Sequence, residues 1–377
     1  MTHKYLGAIL GSAMAIAALP SVAQELPKTM IWSSYDVGSA GYAEASAIAD
    51  AFGKQFGTRI RIQPSGSSIG RLQPLLKGRA DYAFLATEAF FLSDGVHDFA
   101  IPDWGPGELR AIAGRPAGFD LIAAGDAGIE NVEDARGKRI AFVAGNPSIN
   151  VKCEAVLAFG GLTLDDVEVI TFPTYASAMS SMTRNESDAT CTSPTTSQLY
   201  ELAESPRGIH YPRLDPDNKA GWESMQKMLP IMGPSEEDVA AGLKEGDTIQ
   251  MAAYRYPIIA TTKDKSADEV YAFIKALDES YDLYKNGTAT MERWALEKSG
   301  HSPVDVPFHE GAIRYLKEKG IWTEEDAAWN KKRAERLDAL VAAWAEFKPL
   351  HVDLSEDDYV KAWMEKQREV VASLILQ

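Results

Sequence analysis

Cysteine and histidine are scarce in this chain of 377 residues, which contains only Cys153, Cys191 and six histidines. So few scattered donors do not form the ligand set of a zinc site, and we expect neither a metal nor a cofactor. In an oxidising compartment the two thiols could pair, but the sequence does not show whether their Cα atoms come close enough. A disulfide and two buried free thiols therefore both stay open.

Positive charge is also in short supply, because 38 Lys and Arg residues stand against 54 Asp and Glu residues, for a formal net charge of −16. Such an acidic surface repels phosphate backbones and anionic lipids, so we expect no binding to nucleic acid or to a membrane surface. A site for an anion would have to be formed locally, against the field of the whole protein.

Long hydrophobic runs are missing as well. A bilayer-spanning helix needs about 20 apolar residues, and the sequence contains no apolar run of that length. The apolar run at residues 6–19 is shorter, contains Gly and Ser, follows Lys4 and ends at Pro20. Small residues at 21–23 complete the pattern of a secretory signal peptide. We expect residues 1–23 to be removed and the mature protein to be periplasmic.

The remaining chain of about 350 residues exceeds what one hydrophobic core usually supports, so two domains are expected. Hydrophobic periodicity predicts two units in which strands and helices alternate, as in an α/β fold with parallel sheets. The first unit has strands at 30–32, 60–63 and 82–85 with helices at 41–56 and 69–76, and the second has strands at 139–143, 167–171 and 188–192 with helices at 149–159 and 175–182.

Two extended segments, 109–124 and 251–262, contain few breakers apart from Pro116 and Pro257. We interpret them as crossings between two lobes, which form a two-segment hinge. Lobe 1 would then comprise residues 24–118 and 255–377, and lobe 2 residues 119–254. The C-terminal part is predicted to be helical, and its aromatic stripes are interpreted as packing surfaces.

Three loops rich in small residues, at 39–42, 65–68 and 145–148, each follow a predicted strand and precede a helix. The first turn of a helix leaves amide groups unpaired and carries partial positive charge, so it can hold a carboxylate without a cationic side chain. Each loop alone could be a plain tight turn. Three in the same topological position favour a ligand site at the carboxyl ends of the strands.

The second loop also matches the G-x-S-x-G pattern of a hydrolase nucleophile elbow, with Ser68 as the nucleophile. However, only one clear strand precedes this loop, and no acid and histidine follow in the expected order. His301 and His309 lie in a polar stretch that is predicted to be a surface loop. We therefore favour a binding protein without catalytic residues and keep a secreted serine hydrolase as the alternative.

Side chains near the loops are candidates for ligand specificity. Arg71 lies in the first turn of the second predicted helix, where its guanidinium could pair with a ligand carboxylate. Arg115, Tyr254 and Arg255 lie in the crossings, beside the predicted cleft. For each arginine the alternative is a surface salt bridge, which is the favoured interpretation for Arg115 and Arg255.

Several short motifs occur along the chain in an order that is typical of one protein family. They are Gly41-Tyr42 before an amphipathic helix, PSGSSI at 64–69 with Leu72, GRADYAF at 78–84, LRAI at 109–112, VEDARGKRI at 132–140, AFGGLT at 158–163 and FHEGA at 308–312. Over residues 26–320 the chain resembles the TAXI family of solute-binding proteins from TRAP transporters. No single motif is diagnostic, but the shared order and spacing make the resemblance specific.

The resemblance implies a periplasmic-binding-protein-like fold that closes on its ligand by a clamshell motion. It also implies a small organic anion as ligand, an amino acid or a mono- or dicarboxylate, and the membrane subunits of a TRAP transporter as partner. Arg71 and the sequence at 85–88 depart from the family pattern, so the exact ligand stays open. The expected ligand-binding residues are Ser39, Gly41, Tyr42, Ser65, Gly66, Ser67, Ser68, Arg71, Asn146, Ser148, Thr192, Ser193 and Tyr254.

Overall fold

The computed structural model describes residues 25–375 of the chain, so the predicted signal peptide lies outside the described residues. The strands in this range are β1 (Thr29–Ser34), β2 (Arg59–Pro64), β3 (Tyr82–Leu85), β4 (Leu109–Ala124), β5 (Arg139–Val143), β6 (Glu168–Phe172), β7 (Ala189–Thr192), β8 (Ile209–His210), β9 (Gly233–Glu237) and β10 (Ile249–Thr262). The helices are α1 (Ala40–Phe56), α2 (Ser68–Leu76), α3 (Glu88–Asp94), α4 (Pro147–Phe159), α5 (Tyr175–Ser180), α6 (Ser197–Glu204), α7 (Lys219–Met228), α8 (Ala267–Glu279), α9 (Tyr281–Tyr284), α10 (Leu296–Ser299), α11 (Glu310–Glu318), α12 (Glu324–Phe347) and α13 (Glu356–Ile375).

The strands form one continuous hydrogen-bonded sheet in the order β2-β1-β3-β10-β4-β7-β5-β6, with β9 added to β10 and β8 added to β4. Strands β1, β2 and β3 are parallel and form a first section, and β5, β6 and β7 are parallel and form a second section. Between them, β10 and β4 are antiparallel to their neighbours. The predicted α/β fold class, with two crossing segments between the sections and extra C-terminal helices, is confirmed.

The two crossing strands, β4 and β10, lie side by side and connect the sections. Their pairing extends from Leu109 and Thr262 at one end to Phe119 and Ala252 at the other. On its other side, β10 forms hydrogen bonds with β3 of the first section, and β4 forms hydrogen bonds with β7 of the second section. The register shifts between Arg255 and Ile258, next to Pro257, where the ladder is irregular. Both segments that the sequence identified as crossings are therefore extended strands shared by the two sections.

Helix α1 illustrates how local sequence positions the loops at the strand ends. Ser39 caps the helix by accepting a hydrogen bond from the Tyr42 amide, and Gly57 ends it in a left-handed conformation with φ of 70°. The helix buries Ile48 and Phe52, and Phe52 packs edge-to-face against Trp32 of β1 at a centroid distance of 5.6 Å. This packing fixes the helix start next to the end of β1.

The C-terminal helices α12 and α13 pack on the first section. Trp344 of α12 lies edge-to-face on Trp363 of α13 at 4.6 Å, and the Trp363 indole donates a hydrogen bond to the Gly95 carbonyl at 2.6 Å. Arg333 of α12 forms a buried ion pair with Asp94 at 2.8 Å. The aromatic stripes thus serve packing, as expected from the sequence. Within residues 25–375, none of the helices combines the length and apolar character needed to cross a membrane.

The two cysteines form a disulfide between α4 and β7 of the second section, which closes a loop with a sequence separation of 38. Of the two alternatives left open by the sequence, the bonded one is present. Both cysteines are fully buried. Lys152 directly precedes Cys153, and Thr192 directly follows Cys191.

We expect reduction of this disulfide to lower the free energy of unfolding by about 2–4 kcal/mol, because the bond restricts the unfolded chain. The measurement is urea denaturation with and without a reductant. The variant with both Cys153→Ala and Cys191→Ala serves as control, since its stability should not respond to the reductant. An unchanged midpoint for the wild type would contradict the prediction.

Candidate functional site

The predicted ligand loops of the two sections contact each other across a seam. The Asn146 side-chain amide donates to the Gly66 carbonyl at 2.9 Å, and the Ser68 amide donates to the Gly145 carbonyl at 3.2 Å. Ser197, at the start of α6, donates its hydroxyl to the Gly38 carbonyl at 2.5 Å. The structure therefore brings together the loops that the sequence placed at the carboxyl ends of the strands, and it holds the two sections closed on each other.

The helix-start amides are already occupied by groups of the protein. The Gly41 amide donates to the Tyr256 hydroxyl at 3.2 Å, and the Tyr42 amide donates to the Ser39 hydroxyl at 3.1 Å. At α2, Ser67 accepts the Gly70 amide at 3.1 Å, and Ser65 lies beside it. Most of the helix-start amides of α1 and α2 are therefore paired within the protein in this closed arrangement.

Gly41 cannot carry a side chain in this structure. A Cβ atom at position 41 would lie 2.8 Å from the Tyr256 hydroxyl, which is closer than real Cβ contacts. The approach of the helix start to the β10 tyrosine therefore requires glycine.

A small cavity of about 10 Å³, with room for about one water molecule, lies behind the seam, between the two sections. Its walls come from the loop after β1, from α4, α5 and β7, and from both crossing strands. The lining residues are Tyr35, Phe119, Ile149, Lys152, Tyr175, Thr192, Ser193, Tyr254 and Tyr256. Three of them, Thr192, Ser193 and Tyr254, are among the residues that the sequence identified.

The cavity wall is mainly aromatic, with hydroxyl groups at the ring edges. Tyr254 and Tyr256, which alternate with Arg255 along β10, stack at a centroid distance of 5.7 Å with an interplanar angle of 10°. The Tyr175 hydroxyl contacts the Thr192 and Thr196 hydroxyls, each at 2.7 Å. Burial raises the pKa of Tyr254 and Tyr256 well above its usual value, so both hydroxyls stay protonated.

Lys152 of α4 is the one charged residue in this lining, and the sequence analysis did not single it out. The side chain is buried, and its Nζ lies 3.9 Å from the Tyr254 ring centroid and 4.4 Å from that of Phe119. Burial lowers the pKa of Lys152 to about 7, although Glu88 and Asp305 act in the opposite direction. A signal was available in the sequence, because Lys152 follows Ile149 by three residues and so lies on the apolar face of α4.

Arg71 is buried and uses its donors within the protein. Its Nε donates to Glu88 at 2.7 Å, one terminal nitrogen donates to the Ser65 carbonyl at 3.0 Å, and the other donates to the Ser68 hydroxyl at 3.3 Å. Its guanidinium carbon lies 3.5 Å from the Tyr35 ring centroid. Burial favours a higher pKa for Glu88, but the Arg71 charge outweighs it and lowers the pKa. The carboxylate that Arg71 meets is therefore Glu88, in place of the ligand carboxylate expected from the sequence.

The arginines of the crossings do not form the surface salt bridges that the sequence favoured. Arg115 makes a bidentate pair with Glu44 of α1, at 2.7 Å and 2.5 Å, and both side chains are fully buried. Arg255 instead donates to the carbonyls of Gly114, Lys298 and Pro303 at 2.9, 2.6 and 3.2 Å. Both arginines therefore stabilise the crossing strands through contacts within the protein.

Two predicted ligand residues of the third loop are fully buried. The Asn146 side-chain oxygen accepts hydrogen bonds from Tyr35 at 3.4 Å and from Ser68 at 3.5 Å. Ser148, in the first turn of α4, has a hydroxyl without a hydrogen-bond partner among the described residues.

The geometry around Ser68 does not support a hydrolase. Its hydroxyl contacts Asn146 and Arg71, and no histidine is a hydrogen-bond partner of Ser68 within residues 25–375. His301 pairs with Asp326 at 2.8 Å, whereas His309 is buried and caps α11, so the expected surface loop is wrong for His309. In the same described range, no cluster of three or more His, Cys, Asp or Glu side chains could hold a metal ion.

Comparisons with known proteins identify the family of the chain. The model of the NMT1-like family matches residues 37–320, which is most of the sequence, and the chain belongs to this family. No curated protein matches the sequence.

Solved structures show weaker similarity. The alkanesulfonate-binding protein SsuA from Xanthomonas axonopodis pv. citri bound to MOPS is 14% identical, with 78% of this chain and 85% of that chain covered, at a TM-score of 0.45. The periplasmic aliphatic sulphonate binding protein SsuA from Escherichia coli is 15% identical, with 82% and 86% covered, at a TM-score of 0.43. An ancestral arginine-binding protein bound to arginine is 14% identical, with 73% and 99% covered, at a TM-score of 0.42. Similarities of this strength assign no residue of the site.

We expect Arg71→Met to lower the free energy of unfolding by about 3–5 kcal/mol, because it leaves Glu88 buried without its counter-ion. The double variant with Glu88→Leu should recover part of this loss, since no unpaired charge remains. Urea denaturation measures all three proteins. Arg184→Met is the matched control, because its pair with Glu186 is exposed and should contribute little. Additive losses in the double variant would contradict the prediction.

Proposed function

We propose that this chain is the periplasmic solute-binding subunit of a membrane transporter and that it encloses a small carboxylate-bearing solute between two lobes. The lobes would comprise residues 24–118 with 255–377, and residues 119–254. The observation that carries the proposal is the position of the small cavity behind the seam, because both sections and both crossing strands contribute to its wall. The lobes would have to part to admit a solute at this position. A ligand that contacts all of these walls favours the closed arrangement over an open one.

The seam has the character of a contact that can open and close. It is formed by a few hydrogen bonds between loops, such as Asn146 to Gly66 and Ser68 to Gly145, and each such bond contributes only about 0.5–1.5 kcal/mol net. Opening would break the bond of the Ser68 amide to Gly145 and free that helix-start group. This supports a clamshell in which amides of the loops bind the solute before closure.

The proposed ligand residues fall into two groups. Thr192, Ser193 and Tyr254 line the cavity and would contact the enclosed solute directly. The others lie at the seam or behind it, where they would contact the solute during closure or hold the loops in place. These are Ser39, Gly41, Tyr42, Ser65, Gly66, Ser67, Ser68, Arg71, Asn146 and Ser148.

The resemblance to the TAXI family favours TRAP membrane subunits as the partner. Uptake through such subunits uses an ion gradient, so purified chain and subunits reconstituted in vesicles should take up solute when a sodium gradient is applied. Uptake that needs ATP and no gradient would point to a different class of transporter.

A thermal-shift screen of mono- and dicarboxylates, sulfonates and amino acids tests the binding function. A specific solute at a hundredfold excess over its Kd should stabilise the protein by about 2.7 kcal/mol. Thr192→Val combined with Ser193→Ala should weaken its binding about tenfold or more, because hydroxyl contacts are lost. Ser373→Ala, on exposed α13, is the control and should bind like the wild type. Turnover of a generic ester, or labelling by a serine-reactive probe, would contradict a binding protein.

Asn146→Ala should loosen the closed arrangement, because Asn146 forms the hydrogen bond to Gly66 across the seam. We expect the dissociation rate of the screened solute to rise about three- to tenfold, in line with the loss of one hydrogen bond. Stopped-flow fluorescence measures this rate, and small-angle scattering should show a larger radius for the variant with bound solute. A slower dissociation would contradict a role of the seam in retention.

A further inference from the structure

A pocket of about 360 Å³ lies outside the seam, beside the irregular part of the crossing strands. This crossing-strand pocket is lined by Pro116 of β4, by residues 253–255 of β10 and by the segments 231–233 and 303–305. It shares only Tyr254 with the lining of the cavity behind the seam. An apolar cavity of about 150 Å³ is enough to bind benzene, so the crossing-strand pocket has room for a small organic molecule.

The lining of the crossing-strand pocket is mostly apolar. Contact between such a surface and the apolar body of a ligand is favourable, because it removes both from water. Sites for small molecules are commonly lined in this way, with a few polar groups that fix the orientation of the ligand. The apolar members of the lining include Pro116, Ile231, Met232, Pro303 and Val304.

Arg255 provides a cation at this pocket, and part of its guanidinium is unused. Its Nε donates to the Pro303 carbonyl at 3.2 Å, and Nη1 donates to the carbonyls of Gly114 and Lys298 at 2.9 and 2.6 Å. Within residues 25–375, Nη2 has no hydrogen-bond partner, and no carboxylate lies within ion-pair distance of the guanidinium. Burial lowers the pKa of Arg255 to about 10, so the side chain stays charged at neutral pH. The two N–H groups of Nη2 are therefore available to an anion.

The acid whose charge acts on Arg255 is Asp326, and its oxygens are already in use. They accept hydrogen bonds from His301, from the Ser302 amide and from the Thr323 hydroxyl at 2.8, 2.7 and 2.7 Å. Asp326 therefore compensates the charge of Arg255 only from a distance, and direct pairing with Nη2 is left to a group from outside the protein.

Asp305 is the other charged residue of the lining, and an ionised carboxylate there would repel an anion bound to Arg255. Its side chain is buried, and burial raises the pKa of Asp305 to about 7, although Lys152 acts in the opposite direction. At pH 6 most of the molecules therefore carry Asp305 as a neutral acid. Under this condition the lining has one positive charge, which matches a ligand with one negative charge.

We propose that the crossing-strand pocket is a second binding site of this protein and that its ligand is a small monocarboxylate with an apolar body. The carboxylate accepts hydrogen bonds from Arg255 Nη2, and the body lies against the apolar part of the lining. Hydrogen bonds between charged groups are roughly twice as strong as neutral ones, so the carboxylate fixes the orientation of the ligand. The site lies outside the seam and does not depend on the proposed function.

Calorimetry at pH 6 with four matched probes tests the class of ligand. Phenylacetate has both the carboxylate and the apolar body, phenylacetamide lacks the negative charge, phenethylamine reverses it, and acetate lacks the apolar body. We expect phenylacetate to bind at least tenfold more tightly than each of the other three, because each of them loses one of the two contacts or is repelled by Arg255. Equal binding of phenylacetamide or phenethylamine would overturn the pairing with Arg255, and equal binding of acetate would overturn the role of the apolar lining.

Two variants test whether phenylacetate binds in this pocket. Arg255→Met removes the cation and should weaken the binding of phenylacetate at least tenfold, while phenylacetamide should bind as to the wild type. Gly233 lines the pocket, and a Cβ atom at this position would meet no heavy atom within 4 Å apart from its chain neighbours. Gly233→Leu should therefore fill part of the pocket without a clash and weaken the binding at least tenfold. Arg368→Met, which removes an exposed arginine of α13, is the control and should bind like the wild type.

Thermal melting separates loss of the site from loss of the fold. Arg255 also donates to three backbone carbonyls, so Arg255→Met is expected to melt at a lower temperature than the wild type. Gly233→Leu keeps these hydrogen bonds and should melt like the wild type, so weaker binding by this variant reports on the pocket itself. Full affinity for phenylacetate in a folded Gly233→Leu would overturn the inference.

The outcomes also separate this inference from the proposed function. The second site is overturned if phenylacetate does not bind to the wild type. It is equally overturned if binding is lost in the variant with Thr192→Val and Ser193→Ala but retained in Arg255→Met. Both results leave a solute site between the lobes intact. In contrast, phenylacetate binding that requires Arg255 and is blocked by Gly233→Leu would stand even if no solute bound at the seam.

Discussion

A charge that is buried inside a protein must be compensated there, and this requirement organises the part of the molecule next to the seam. Arg115 and Glu44 connect the crossing strand β4 to α1, and Trp294 donates a further hydrogen bond to Glu44 at 2.7 Å. Arg71 and Glu88 connect α2 to the start of α3. Because breaking such pairs is costly, they fix the scaffold around the seam. Lys152 is the exception, because it is buried beside the cavity and no carboxylate of residues 25–375 lies within ion-pair distance of its Nζ.

The sequence predicted those features that depend on neighbouring residues. Hydrophobic periodicity predicted the bounds of β3 and β5, the lack of breakers predicted those of β4, and the small-residue loops marked the helix starts that meet at the seam. It did not predict the helix α3, whose residues are all buried and therefore show no amphipathic pattern. It also did not predict the pairing of Arg71 with Glu88 or the rings around Lys152. These contacts join residues far apart in the chain, and only the folded sheet brings them together.

The acidic surface and the proposed anion site are compatible because they act over different distances. The net charge of −16 repels an approaching anion, but salt screens this repulsion beyond about 8–10 Å. Between closed lobes, low polarity would strengthen a local attraction to an anion, and few water molecules would compete with it. Membership of the NMT1-like family indicates the evolutionary relationship of the chain, whereas the nature of its solute has to be inferred from this local chemistry.

The crossing strands carry three of the rings that line the cavity, Phe119 on β4 and Tyr254 and Tyr256 on β10. If the lobes open and close as proposed, any bending of these strands would also displace part of the wall around the solute. The same residues would then determine both the flexibility of the hinge and the choice of solute. A substitution that makes such a molecule open more easily would also change which solutes it prefers, and divergence among relatives in one property should be accompanied by divergence in the other.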